Sequence, residues 1–266
     1  MVYPASAMGQ SSENVLVNLE EKIQTVRIAR PHKKNALTLP MYEALTHAVR
    51  NADKDPEIRV TVLLGVRGCF TSGNDLRDFL SAPPYDESSP VSLFLQALAC
   101  AEKPLIACVA GSAIGIGTTL LLHCDLVVAG RSAVFQLPFV RLGLCPEAGA
   151  SYLLPKVVGK AKAAEWLLLG ESFDADAALA SGLVNVVTSD DELESRGMQM
   201  AATIAALPPE SIRLTKSLLR APDRQEVSRA MQAEVEAFVA RLKSPEACEA
   251  MQAFLEKRPA DFSSFT

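Results

Sequence analysis

The sequence predicts an α/β layer domain that finishes in a helical C-terminal part. From residue 104 an apolar β run, a glycine turn, a helical stretch and a further β run follow in order, at Leu105–Val109, residues 111–117, residues 118–124 and residues 126–129. Alternation of this kind stacks helices against a sheet. Residues 184–188 are the last apolar β run, and the sequence after them is patterned as helix. A chain of 266 residues, 49% hydrophobic and 21% charged, buries a substantial core in one or two domains, which excludes a disordered or coiled-coil chain.

Residues 1–13 are polar and lack a basic start followed by an apolar run, so they read as an N-terminal extension with no targeting segment. Residues 15–19 and Ile23–Ile28 are β-branched runs split by Glu20, Glu21 and Lys22, the pattern of a hairpin. Residues 39–52 set Leu45, Val49 and Ala52 on one helical face and stop before Pro56; Val60–Leu64 is then a buried strand. Residues 81–90 hold three prolines, three serines and two acids, a loop ahead of a helix that ends near Glu102. Residues 105–122 are uncharged, but their three glycines fit a strand, turn and helix better than a membrane span. Helices follow at residues 192–206, 209–219, 224–242 and 246–255, with Val227, Met231, Val235, Phe238 and Leu242 along one face of the third. The expected organisation is a core over residues 14–190, a helical region over 191–256 and a tail over 257–266. No repeat of solenoid length is visible.

A net charge of −5 argues against a nucleic-acid surface. The six cysteines form no CxxC pair and mostly lie in apolar runs, which reads as reduced, buried thiols in a cytoplasmic protein. His32, His47 and His123 are scattered, so no metal site is expected, and no Ser-His-Asp triad either, because Ala110 breaks a GxSxG frame around Ser112. GxxxxGK[ST] and GxGxxG do not occur. Two glycine-bearing loops remain, Phe70-Thr71-Ser72-Gly73-Asn74-Asp75-Leu76 and Gly111-Ser112-Ala113-Ile114-Gly115-Ile116-Gly117, each where a strand hands over to a helix. At such places backbone N–H groups converge on an anionic oxygen, with a helix dipole behind them. Either loop alone also reads as a mere tight connection.

Together the motifs are more specific. Pro31-His32-Lys33-Lys34-Asn35-Ala36-Leu37, the first glycine loop, residues 110–125 ending in Cys124-Asp125, and Leu142-Gly143-Leu144-Cys145-Pro146-Glu147 resemble the crotonase (enoyl-CoA hydratase/isomerase) superfamily over residues 14–255. Through Gly115-Ile116-Gly117, Pro138-Phe139 and residues 142–151 the likeness is strongest to its Δ3,Δ2-enoyl-CoA isomerases of peroxisomal type. The resemblance implies a ββα spiral, assembly as a trimer or dimer of trimers with the helical region in contact and over the active site, and a role in fatty-acid β-oxidation. It implies an acyl-CoA substrate, with coenzyme A as part of that substrate, no separate cofactor, and no nucleic-acid or membrane partner.

Residue by residue, the resemblance implies that the N–H groups of Asn74 and Ile116 hold the thioester oxygen, their side chains being incidental. The two glutamates of family hydratases fall on Thr119 and Phe139, and the single glutamate of the isomerases falls on Glu147. Ser72, Gly73, Asn74, Asp75 and Leu76 are expected to give backbone contacts to substrate, Gly115 and Phe139 also to bind it, and Lys33, Lys34 and Arg77 to meet the CoA phosphates. Asp75 also reads as a helix N-cap, the basic residues as a solvated patch, and Asp125 as structural. Pro146 suits a first helical turn, which would lower the pKa of Glu147, whereas a pocket of Phe139, Leu142 and Leu144 would raise it. A hydratase-like enzyme on another acyl-CoA and a non-catalytic acyl-CoA-binding scaffold are the rival readings. The ending Ser263-Ser264-Phe265-Thr266 lacks a Ser-Lys-Leu type of address, so a cytoplasmic place is expected.

Overall fold

The hairpin β1 (Val15–Glu20) and β2 (Ile23–Ile28) turns through Glu21 and Lys22, both at positive φ, the two-residue turn whose twist matches its strands. This computed structural model describes residues 13–75 and 88–265. Leu76, Arg77 and most of the proline-rich loop, residues 81–87, lie outside the described residues.

After the hairpin come α1 (Leu39–Lys54), β3 (Val60–Leu64), β4 (Cys69–Thr71), α2 (Pro90–Cys100), β5 (Leu105–Val109), β6 (Ser112–Ile114) and the one-turn α3 (Ile116–Thr119). β7 (Leu126–Gly130), β8 (Val134–Gln136), α4 (Ala150–Val158), α5 (Lys160–Leu169), β9 (Ser172–Asp174), α6 (Ala175–Ala180) and β10 (Val186–Thr188) complete the core. Among the described residues two sheets form: β1-β2-β3-β5-β7-β10, parallel from β2 onward, and β4-β6-β8-β9, parallel through β8. β3, β5 and β7 each feed a strand of the second sheet, which makes the structure the expected ββα spiral.

The strands of the larger sheet are apolar without alternation because both faces are covered. Leu63, Leu105, Ala107, Val109, Val127 and Ala129 face the cluster under α1 and α2. Val60, Val62, Leu64, Ile106, Cys108 and Val128 face α7 (Leu193–Ala205). Gly197 of α7 lies so close to Cys108 that an added Cβ would sit 2.1 Å from its sulfur.

Three helices follow: α8 (Pro209–Arg220), α9 (Arg224–Leu242) and α10 (Pro245–Glu256). α8 docks through charge. Lys216 Nζ donates to Lys103 O at 2.6 Å and to Asp125 Oδ2 at 2.7 Å, while Arg220 reaches the carbonyls that end α2 and that of His123. Asp125 also accepts from Leu105 N–H at 2.7 Å, a structural role at the start of a strand.

Several expectations change. The turn at 111–117 contains β6, because it completes a parallel ladder between β4 and β8. The helix at 118–124 is the end of α3 followed by a 3-10 turn, Leu120–His123. The last strand starts at Val186, since the N–H groups of Leu183 and Val184 bond to Ala178 O at the end of α6. Of the cysteines only Cys108 is fully buried; Cys100 and Cys248 are exposed, the former at the last residue of α2. Among the described residues no helix is long and apolar enough to cross a membrane.

Candidate active site

Asn35 builds the first loop. It is buried at positive φ, and its amide donates to the carbonyls of Ile28, Cys69 and Phe70, each at 3.0 Å, while its Oδ1 accepts from Arg30 N–H at 2.7 Å. This lashes residues 30–37 to β4 and runs residues 72–75 beside them. Ser72 N–H donates to Lys34 O, Leu37 N–H to Gly73 O and Asp75 N–H to Leu37 O, at 3.0, 2.8 and 2.9 Å. That bridge uses the donors of Leu37 and Asp75 and turns the N–H of Asn74 out of the ladder, with no partner among the described residues.

In the second loop Gly115, at φ 57°, donates to Gln136 O and accepts from the N–H groups of Thr118 and Thr119. Ile116 opens α3, so its N–H is one of the donors a helix start leaves over, again without a partner among the described residues. The two loops follow the neighbouring strands β4 and β6 and interlock. A Cβ at Gly73, where φ is 89°, would lie 2.8 Å from Ile114 O, and one at Gly117 would lie 2.7 Å from Thr71 Cγ2. Only glycine admits this approach.

Glu147 meets the second loop through Thr119, whose hydroxyl donates to Oε1. Its residue is 7% exposed, and Oε2 is the only buried side-chain oxygen or nitrogen among the described residues that lacks a partner. Burial pushes the carboxyl up to about 8, against the Thr119 hydrogen bond and with a smaller push from the charge of Glu234. The expected first helical turn is not there. Ala148 and Gly149 stand at φ 63° and 71°, and α4 begins only at Ala150, so Pro146 and Glu147 precede the helix and desolvation prevails over the helix dipole. His123 Nε2 donates to Ala148 O at 2.7 Å; burial lowers the ring's pKa to about 4, so it is neutral.

The sequence-derived residues fall as follows. Gly115, Ile116 and Glu147 gather around Thr119, Asn74 joins them through Tyr42, which feels the charge of Glu147, Ser72 and Gly73 precede Asn74, and Phe139 and Leu144 share the core cluster with Ala148. Lys33 and Lys34 are exposed on the turn that hydrogen-bonds Ser72. Asp75 is held by Arg30 at 2.7 Å, and the helix it was expected to cap lies outside the described residues, with Leu76 and Arg77. The side chain of Asn74 has a partner of its own: its Oδ1 accepts from the Tyr42 hydroxyl. Burial, and then the charge of Glu147, raise the Tyr42 phenol well above its usual pKa, so it stays a donor. Sequence reasoning missed Tyr42, Asn35 and Glu234; Asn35 alone had a signal, its place in the Pro31–Leu37 motif. A groove of about 970 Å³ between α2, α4, α8 and α9 reaches His123 and Ala148 beside the carboxylate.

Two N–H groups and a buried carboxylate oxygen, all without a partner among the described residues, can bind an enolate oxygen and move a proton. A model described as enoyl-CoA hydratase/isomerase matches residues 18–264. The chain belongs to the enoyl-CoA hydratase/isomerase family. The family's crotonase fold is seen in the structure of Pseudomonas aeruginosa OdaA, 45% identical, with a TM-score of 0.90 over 92% of this chain and 99% of that one. Enoyl-CoA delta isomerase 2 of Rattus norvegicus is 37% identical over 261 residues; the match covers 96% of this chain, which spans 66% of that protein. A 2,3-dehydroadipyl-CoA hydratase of Escherichia coli is 33% identical over 252 residues, 93% of this chain and 98% of that one. Isomerases and hydratases thus both stand among the relatives of this family member.

Proposed function

We propose that this protein converts 3-enoyl-CoA to trans-2-enoyl-CoA, with Glu147 as the single proton carrier and the N–H groups of Asn74 and Ile116 as the oxyanion hole. The observation that carries the reading is Glu147 Oε2, buried without a partner beside a loop with a free N–H. The ionised carboxylate takes a proton from C2. The electrons flow into a dienolate whose oxygen is held by the two N–H groups, and the same carboxyl returns the proton at C4 as the double bond moves from C3–C4 to C2–C3. A pKa near 8 suits this exchange, because it brings carboxyl and carbon acid closer in proton affinity.

Hydration needs a second group to hold and activate water. Thr119 and Phe139 occupy the two places where the resemblance puts hydratase glutamates, and Thr119 is spent on holding Glu147. Lys33 and Lys34 beside the first loop support a CoA-phosphate site, and the groove beside Ala148 supports an acyl chain of some length. The exposed leucines Leu214, Leu218 and Leu219 of α8 support self-association, which the expected trimer or dimer of trimers would use. The test is turnover of 3-hexenoyl-CoA and longer 3-enoyl-CoAs in an assay coupled to consumption of the 2-enoyl product, with hydration of trans-2-enoyl-CoA run in parallel. Isomerisation at far lower protein than hydration is the expected result. Hydration dominating, or tight acyl-CoA binding with neither reaction, would overturn it.

A further inference from the structure

The turn that presents Glu147 has two consecutive residues in the left-handed region, and one of them, Ala148, is not glycine. Such a turn persists only when its surroundings hold it. The helix it leads into begins with Gly149 at the N-cap, a residue with no side chain to satisfy the first N–H groups. The cap comes from α9, far along the chain. Glu234, 6% exposed, accepts from Gly149 N–H at 2.6 Å, from Ser151 N–H at 2.8 Å and from Ser151 Oγ at 2.5 Å. Val227 and Met231, on the same face of α9, pack against Gly149.

We infer that Glu234 is a positioning residue for Glu147: it clamps the turn and occupies the donors at the start of α4, so that Glu147 keeps one oxygen free. The inference rests on the proposed role of Glu147. The donors in question lie two and four residues beyond Glu147, and an uncapped helix start would attract its carboxylate away from the loops. Glu234 also sets a negative charge near Glu147, which adds a small upward push to the rise that burial produces. The other ionisable groups facing Glu147 are Tyr42 from α1, His123 from the turn after α3, and Cys145, which itself faces Arg241 of α9.

The test is Glu234→Gln in the full chain, with Ser151→Ala as the milder variant that removes one of the three hydrogen bonds. Carbon-13 NMR follows the titration of the Glu147 side-chain carboxyl, assigned by its loss in Glu147→Gln. A midpoint lowered by about half a pH unit or more in Glu234→Gln is expected, with a roughly tenfold or greater fall in kcat for 3-enoyl-CoA and KM within about threefold. A midpoint that stays in place in a folded variant overturns the inference, since a purely structural cap would not move it. Should Glu234→Gln fail to fold, the same displacement at smaller size in Ser151→Ala supports it and an unmoved midpoint overturns it. A wild-type protein without isomerase turnover would overturn the proposed reaction, and the titration would still decide the part of Glu234.

Discussion

The loop at residues 72–75 and the turn at residues 145–149 form the two halves of the proposed site and are held by different means. The loop is secured by its own backbone: a parallel bridge to Leu37, a glycine in contact with Ile114 O, and Asn35 tied to three carbonyls of the sheet framework. The turn is secured by side chains from distant segments, Thr119, His123 and Glu234, and leaves a buried carboxylate oxygen unpaired. Backbone-built geometry binds charge without titrating, whereas side-chain-built geometry sets a proton affinity. An oxyanion hole asks for the first and a proton carrier for the second.

The sharpest way to break the comparison is Glu147→Gln. Under the proposed reaction it should lose roughly 10²-fold or more in kcat while acyl-CoA affinity, measured by calorimetry, stays within a fewfold. The same variant should gain stability relative to the wild type as pH rises. Glu147 has its folded pKa raised to about 8 from 4.5, so the native state binds the extra proton between these values and wild-type stability falls as pH climbs through that window. Melting temperatures of the two proteins, compared at pH 5 and pH 8.5, should therefore diverge in favour of Gln, and parallel curves would contradict the buried carboxylate. The kcat/KM of the wild type should rise with pH, with its midpoint at about 8, and level off roughly one pH unit higher as ionisation of the free base nears completion.

Gly73→Ala attacks the backbone half. A methyl 2.8 Å from Ile114 O at φ 89° should cost about 1–3 kcal/mol in chemical denaturation and reduce kcat, since the Asn74 N–H moves with it. Tyr42→Phe is gentler: it removes the donor to Asn74 Oδ1, and a loss of about 1–2 kcal/mol with a several-fold drop in kcat is expected. The smallest effect belongs to Lys34→Ala, which should raise KM a fewfold at low salt and almost not at all at high salt. A salt-independent KM would remove Lys34 from the phosphate site.

The backbone half of the site was largely legible in the sequence, and the turn was not. Glycines at 73, 115 and 117 after apolar β runs announce a strand-to-helix handover, because few other residues admit the close approach at 73 and 117 or the positive φ at 115. The motif around Asn35 pointed to the same place. Pro146 before Glu147 was misleading: the residue that suits a first helical turn is followed by two left-handed residues, and only packing by α9 makes that arrangement tolerable. Glu234 carries no local signal, since on a helix of charged and apolar residues it reads as one more solvated acid. The short strand β6 escaped for a related reason, because three residues between glycines gain their register from β4 and β8 alone.

By itself the sequence determined the strands of the larger sheet and the C-terminal helices, the glycine positions in the two loops, and the one acid that the family resemblance sets at residue 147. Those are matters of local sterics and of apolar periodicity, which a chain carries in its nearest neighbours. Tertiary structure alone decided the state of that acid. Whether a carboxylate sits at 4.5 or about 8 depends on how much water it loses and which charges and donors reach it. Here those come from Thr119, 28 residues before it, and Glu234 on α9.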